Sequence, residues 1–141
     1  MTEVNDLDLT SFSNAILSLE SAFKLYTKIK DTSTPAESEL LRDGVIQRFE
    51  YTFELAWKSL RRYFRMYAFE SIETMTNRQV FRKAAELGLI TNVEAWFEYL
   101  LDRNQTSHVY DDEIAKDVFE SIRPFITDVK ILLQNLQNNL A

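Results

Sequence analysis

Val45-Ile46-Gln47-Arg48-Phe49-Glu50-Tyr51-Thr52-Phe53-Glu54-Leu55-Ala56-Trp57-Lys58-Ser59-Leu60-Arg61-Arg62-Tyr63-Phe64-Arg65-Met66-Tyr67 is the stretch on which the fold turns. Within it Val45, Phe49, Phe53, Ala56, Leu60, Phe64 and Tyr67 recur at steps of three and four. One apolar stripe therefore persists for about six helical turns, a period no strand carries. The spacing predicts a long helix from about Ala36 to Phe69. Lys58, Arg61, Arg62 and Arg65 ride on its opposite face. Gly44, near its start, lowers the local propensity by about 1 kcal/mol relative to Ala, and close helix packing is the usual reason for such a residue.

Upstream, Phe12, Ala15, Ile16, Leu19, Phe23, Tyr26 and Ile29 mark a first helix. Ser11 or Ser13 can cap its start, and Lys28 and Lys30 suit its C-terminal dipole. Residues 31–37 read as a loop. Downstream, Thr76 or Asn77 caps a short helix with Val80, Phe81, Ala84 and Leu87 inward, and Gly88 fits the left-handed position beyond its end. Asn92 opens a fourth helix carrying Val93, Trp96, Phe97, Leu100 and Leu101. The last starts at Asp111 or Asp112 and runs through Ile114, Val118, Ile122, Ile126, Val129, Leu132, Leu133 and Leu136, with a kink expected at Pro124. The fold class is all-α: an antiparallel up-and-down bundle of four long helices plus a short one. One domain spans 1–141, with 1–8 and 137–141 expected to fray.

Composition agrees. The chain has 141 residues, 45% of them hydrophobic and 13% aromatic, so a sizeable core is available without metal or disulfide. Only two Gly and two Pro occur, too few to punctuate a sheet protein. Thiolate chemistry is excluded because there is no Cys. The formal charge of −6 argues against coating long duplex nucleic acid, where phosphate neutralisation supplies most of the affinity. It leaves room for a small RNA-cutting site with its own basic patch. Met1 to Asp8 are polar and acidic, unlike a signal peptide, and no run reaches the roughly 18 apolar residues of a membrane span. A cytoplasmic protein with no membrane partner is expected. Trp57, Trp96, Phe97 and Tyr99 widen the apolar surface beyond one stripe. Either a thick core or a partner copy can cover it.

The concentrated chemistry lies in Arg103-Asn104-Gln105-Thr106-Ser107-His108-Val109-Tyr110, between two apolar helices. His108 is the only histidine, and a lone histidine is more often structural than catalytic. Its polar company, with no Gly or Pro in the segment, raises the catalytic reading. At about 100° per residue, Arg103 and His108 stand roughly 140° apart on a regular helix. They can meet on one phosphate only if the helix ends between them, or if two copies converge across a symmetric interface. Asn104, four residues before His108, can orient the imidazole, and Asp111 or Asp112 can hold its protonated form. An imidazole can take a proton from a ribose 2′-hydroxyl or give one to the leaving oxygen, while a guanidinium clamps the phosphate. Metal catalysis, a serine triad and a P-loop all lack their motifs, and no cofactor is expected.

At these residues the chain resembles HEPN-domain proteins of the nucleotidyltransferase substrate-binding group. The likeness rests on Arg103 to His108 with Val109 and Tyr110, on Arg48 to Lys58, on Arg78 to Ala84, and on Leu87-Gly88-Leu89-Ile90. It spans roughly Phe12 to Leu136. The resemblance implies a dimerising bundle with the signature near the dimer interface. It also implies a metal-independent endoribonuclease toxin, neutralised by a minimal nucleotidyltransferase that adds AMP to a tyrosine. Carried onto this sequence, Arg103 and His108 form the catalytic pair, Asn104 supports them and Tyr110 is the modification site. Other members are read as non-catalytic subunits that bind substrate or nucleotide for the transferase, and that alternative stands beside the ribonuclease. The blandest possibility is that the polar segment merely ends a helix. The face bearing Lys58, Arg61, Arg62 and Arg65 is either an RNA or partner surface, or a solvated face offset by Glu50, Glu54 and other acids.

Overall fold

The computed structural model describes residues 7–67 and 72–140. The element order is α1 (Thr10–Ile29), α2 (Pro35–Met66), a 3-10 turn (Ile72–Thr74), α3 (Asn77–Glu86), α4 (Val93–Asn104), a second 3-10 turn (Thr106–His108), α5 (Asp112–Glu120) and α6 (Ile122–Asn138). The described residues contain no strand. No helix among them is long and apolar enough to cross a membrane.

Local chemistry sets most of the boundaries. Helix α2 starts at Pro35, one residue earlier than its periodicity predicts. Thr34 accepts from the Glu37 amide while the Glu37 carboxylate accepts from the Thr34 amide, and proline at the first helical position loses no needed bond. The expected end at Phe69 lies outside the described residues. Thr76 and Gln79 form a second capping box on α3, Gly88 takes φ 76°, and Asn92 caps α4. The start of α1 departs from expectation. Neither Ser11 nor Ser13 caps it; the chain enters from Leu9, and the Asp8 carboxylate accepts from the Thr10 amide. Leu7 and Leu9 are buried against the bundle. At the other end α6 continues to Asn138, with Leu140 packed against the core.

The last predicted helix is two helices. The break falls at Ser121 and not at Pro124. A proline ring clashes with the carbonyl four residues back, here Glu120, and that is where α5 stops. Pro124 itself then sits in the first turn of α6, where amide donors have no intrahelical partner to lose.

Helices α1 and α2 pack antiparallel, pinned by Thr52 donating to the Ala15 carbonyl (3.3 Å) and by Arg48 and Tyr51 on Ser18. Helix α6 lies against both, and Lys130 pairs with Glu20 on α1. The centre is aromatic. Phe53 is 1% exposed and meets Phe49, Phe81, Trp96 and Phe125 at ring separations of 5.8 to 6.4 Å. Trp96, Phe97 and Tyr99 are all buried within the chain. The thick core, rather than a partner copy, thus accounts for three of the four residues that widened the apolar surface. Gly44 does not serve close packing inside the chain, since a Cβ there would meet only the Arg48 guanidinium at an ordinary 3.6 Å.

Candidate functional site

Helix α4 stops at Asn104 because its last turn gives way to competing bonds. The Gln105 amide turns back to Asp102, and the Thr106 hydroxyl donates to the Arg103 carbonyl at 2.8 Å. The buried Thr106 side chain locks the following 3-10 turn in place. That turn closes through the His108 amide on the Gln105 carbonyl (2.9 Å) and the Asp111 amide on the His108 carbonyl (3.0 Å). The helix therefore ends between Arg103 and His108, the first of the two arrangements the sequence allowed.

The two side chains take different partners. The Arg103 guanidinium turns to α2, where its Nη2 lies 3.1 Å from Glu54. Its Nε is buried without a hydrogen-bond partner. His108 is exposed, and the Tyr110 hydroxyl stands 3.5 Å from its Nδ1, at the outer limit of a hydrogen bond. Among the described residues no hydrogen bond joins Arg103, Asn104 and His108 to one another, so Asn104 does not orient the imidazole within this chain. Neither Asp111 nor Asp112 holds His108. Asp111 accepts from the Glu113 and Ile114 amides as the cap of α5, and Asp112 pairs with Arg42 (3.4 Å). Tyr110 is 83% exposed.

Beside the turn runs a groove of about 360 Å³, lined by Leu40, Gly44, Ile46 and Glu50 of α2 with Thr106 and Val109. Among the described residues no group of three or more His, Asp or Glu side chains is disposed to hold a metal ion.

The predicted basic face of α2 is half neutralised. Arg61 and Arg65 both engage Glu73, at 3.1 and 2.6 Å, and Arg61 also stacks on Trp57. Only Lys58 and Arg62 remain as exposed cations there without an ion pair among the described residues. The role of Glu54 escapes a reading of the sequence, which places it among the acids of a solvated face. Nothing local distinguishes this anchoring carboxylate from its neighbour Glu50.

Asp102, next to Arg103, is the most perturbed carboxyl nearby. Desolvation raises its pKa to about 6 against the opposing pull of the Ser121 hydroxyl, with Glu98 and Asp117 adding repulsion. The folded state thus holds this proton more tightly than the unfolded chain. The stability this contributes is fully present below the unfolded value of 3.8 and is lost as pH rises through about 6. Asp102→Asn should therefore melt higher than wild type at pH 7. The gain is about 1–2 kcal/mol after allowance for a half-exposed site, and it should vanish below pH 4. Thermal melts at pH 3.5, 5 and 7 check this; a pH-independent difference would contradict it.

A family model described as nucleotidyltransferase substrate binding protein like matches residues 7–138. Over 96 residues the chain is 34% identical to a Haemophilus influenzae protein named probable ribonuclease HepT, covering 67% of this chain and 66% of that one. The match thus spans just under two thirds of that relative's length. Among solved structures, H. influenzae HI0074, described as revealing the fold of a substrate binding domain of a nucleotidyltransferase, superposes with a TM-score of 0.87 at 30% identity. It covers 92% of this chain and 99% of that one. A Thermus thermophilus protein superposes with a TM-score of 0.71 at 30% identity, covering 89% and 98% of the two chains. With nearly its whole length inside the family model and a closely superposable helical relative, the chain belongs to the nucleotidyltransferase substrate binding protein-like family.

Proposed function

We propose that this protein is a HEPN-type endoribonuclease toxin, held in check by a partner nucleotidyltransferase that modifies Tyr110. The observation that carries the reading is an anchored guanidinium just before a helix end and an exposed imidazole just after it. Glu54 fixes Arg103, and the Thr106 turn fixes His108. The name of the H. influenzae relative, a probable ribonuclease, supports it. His108 takes the proton of a ribose 2′-hydroxyl, the freed oxygen attacks the adjacent phosphorus to form a 2′,3′-cyclic phosphate, and the P–O5′ bond breaks as the 5′-oxygen takes a proton from the imidazolium or from water. Arg103 holds the phosphoryl oxygens as their charge grows. Since Arg103 is turned to Glu54 while His108 is exposed, we place the working site across a twofold dimer, Arg103 of one copy with His108 of the other. The groove beside the turn, with Leu40 74% exposed at its rim, offers the surface for that contact.

The purified chain should cut total RNA in the presence of a chelator, because the proton transfers are assigned to His108. Expression of the chain alone should arrest growth. Intact RNA and normal growth would instead favour a non-catalytic subunit that binds substrate for the transferase. The net charge of −6 and the locking of Arg61 and Arg65 on Glu73 favour that second reading.

Tyr110 is the regulatory half of the proposal. Its exposed hydroxyl, beside His108, is open to attack the α-phosphorus of ATP on the transferase, releasing pyrophosphate. The added phosphodiester would compete with RNA for Arg103, and the adenosine would fill the cleft. Co-expression with a partner minimal nucleotidyltransferase should add AMP to the wild-type chain and abolish cleavage. Tyr110→Phe should stay active and unmodified. Intact-mass spectrometry decides, and equal additions on Tyr110→Phe would remove Tyr110 from the scheme.

A further inference from the structure

Two arginines of α3 sit where helix electrostatics disfavour them. Arg78 lies in the first turn, at the positive end of the helix dipole, and that turn contains no acidic residue. Arg82 follows four residues later, a like-charge spacing that disfavours a helix. Both are exposed. The chain has 22 acidic residues against 16 basic ones, yet among the described residues neither arginine makes an ion pair. Their neighbour is a ring. The guanidinium carbons sit 4.6 and 5.3 Å from the centroid of Phe97, which is buried beneath them. A stacked guanidinium keeps its edge donors free, so two of them on one ring present a fork-shaped anion seat. Local rules broken without internal compensation are expected where a ligand supplies it.

The seat is also placed on the path to the candidate site. Phe97, Leu101 and Asn104 follow at i, i+4 and i+7 on one face of α4, and Leu101 and Asn104 are exposed. From the ring to Asn104, beside Arg103, is about 10 Å along the helix. We infer that Arg78 and Arg82, stacked on Phe97, form a phosphate subsite that grips the backbone of single-stranded RNA, whose chain then runs along α4 to Arg103 and His108. The inference rests on the ribonuclease reading and adds to it the element that holds the strand. It also moves the RNA contact from the α2 cations, half of which are tied to Glu73, to α3.

The test is binding of a fluorescent, single-stranded 2′-O-methyl oligoribonucleotide, which lacks the attacking hydroxyl and stays intact. Affinity is measured across a salt series on the full chain. Arg78→Gln/Arg82→Gln should bind about tenfold more weakly, with the slope of log K against log salt reduced by about 0.7 for each phosphate no longer neutralised. Lys24→Gln/Lys28→Gln, which removes the same charge from α1, should leave the slope unchanged. Arg78→Lys/Arg82→Lys should keep the slope but bind more weakly than wild type, because the planar fork is gone. The glutamine variant should melt within a few degrees of wild type, since the lost ring contacts and the relieved repulsion in α3 are each small. Melting several degrees lower would mark a structural role and overturn the inference. Wild-type affinity and slope in the glutamine variant would overturn it while leaving the ribonuclease reading intact. No strand binding by wild type at any salt would sink both. Intact strand binding without co-purification of the transferase would give the surface to the protein partner and likewise overturn it.

Discussion

His108→Ala and Arg103→Ala should each lower RNA cleavage by roughly 10²- to 10⁴-fold, the usual contribution of a proton-transfer group or a transition-state clamp. Neither should cost much stability. His108 is exposed, and the Arg103–Glu54 pair, each side chain about a third exposed, contributes about 1 kcal/mol or less. Cleavage rates with equal melting temperatures are the check, and wild-type rates in both variants would place the chemistry elsewhere. Mixing the two variants tests the geometry. In a site built across a twofold axis, a mixed dimer carries one intact pair, the arginine from one variant and the histidine from the other. Random reassociation should then restore about a quarter of wild-type activity. A site within one chain restores none. Light scattering that shows only monomer at micromolar concentration would likewise remove the composite site.

Phe53→Ala should cost about 3–5 kcal/mol, and with it on the order of 10 °C in melting temperature. The ring is 1% exposed and is surrounded by Phe49, Phe81, Trp96 and Phe125 from four other positions on α2, α3, α4 and α6. Rings enclosed on all sides cannot close over so large a void, so the missing burial and the cavity both count. Leu17→Ala, at a side chain 58% exposed, should change stability by about 0.5 kcal/mol or less. Denaturant unfolding measures both. A Phe53→Ala cost below about 1.5 kcal/mol would mean that the four-helix aromatic cluster is not the centre of the fold.

Much of the fold was legible because helices are specified over three or four residues. The stripe from Val45 to Phe64 is buried along α2, and Thr76, Gly88 and Asn92 each do at a helix end what their side chains and backbone allow. Pro124 announced an interruption, though the clash it causes acts four residues back and puts the break at Ser121. The polar segment could likewise be located, since seven hydrogen-bonding side chains between two apolar helices have no place in a core. Distance along the chain hides the rest. Glu54 and Arg103, like Glu73 with Arg61 and Arg65, meet only because α2 is crossed by later elements. No local pattern separates those carboxylates from solvated ones. The same crossing turns Trp96, Phe97 and Tyr99 inward, where the sequence left open a partner copy. Periodicity is a property of one helix and is written in its own residues, whereas the partners of a charge or a ring are set by how several helices pack. The helices and the chemical segment could thus be read from the chain, whereas packing decided which carboxylate holds which arginine, and that Arg103 is turned to Glu54 while His108 stays exposed beside Tyr110.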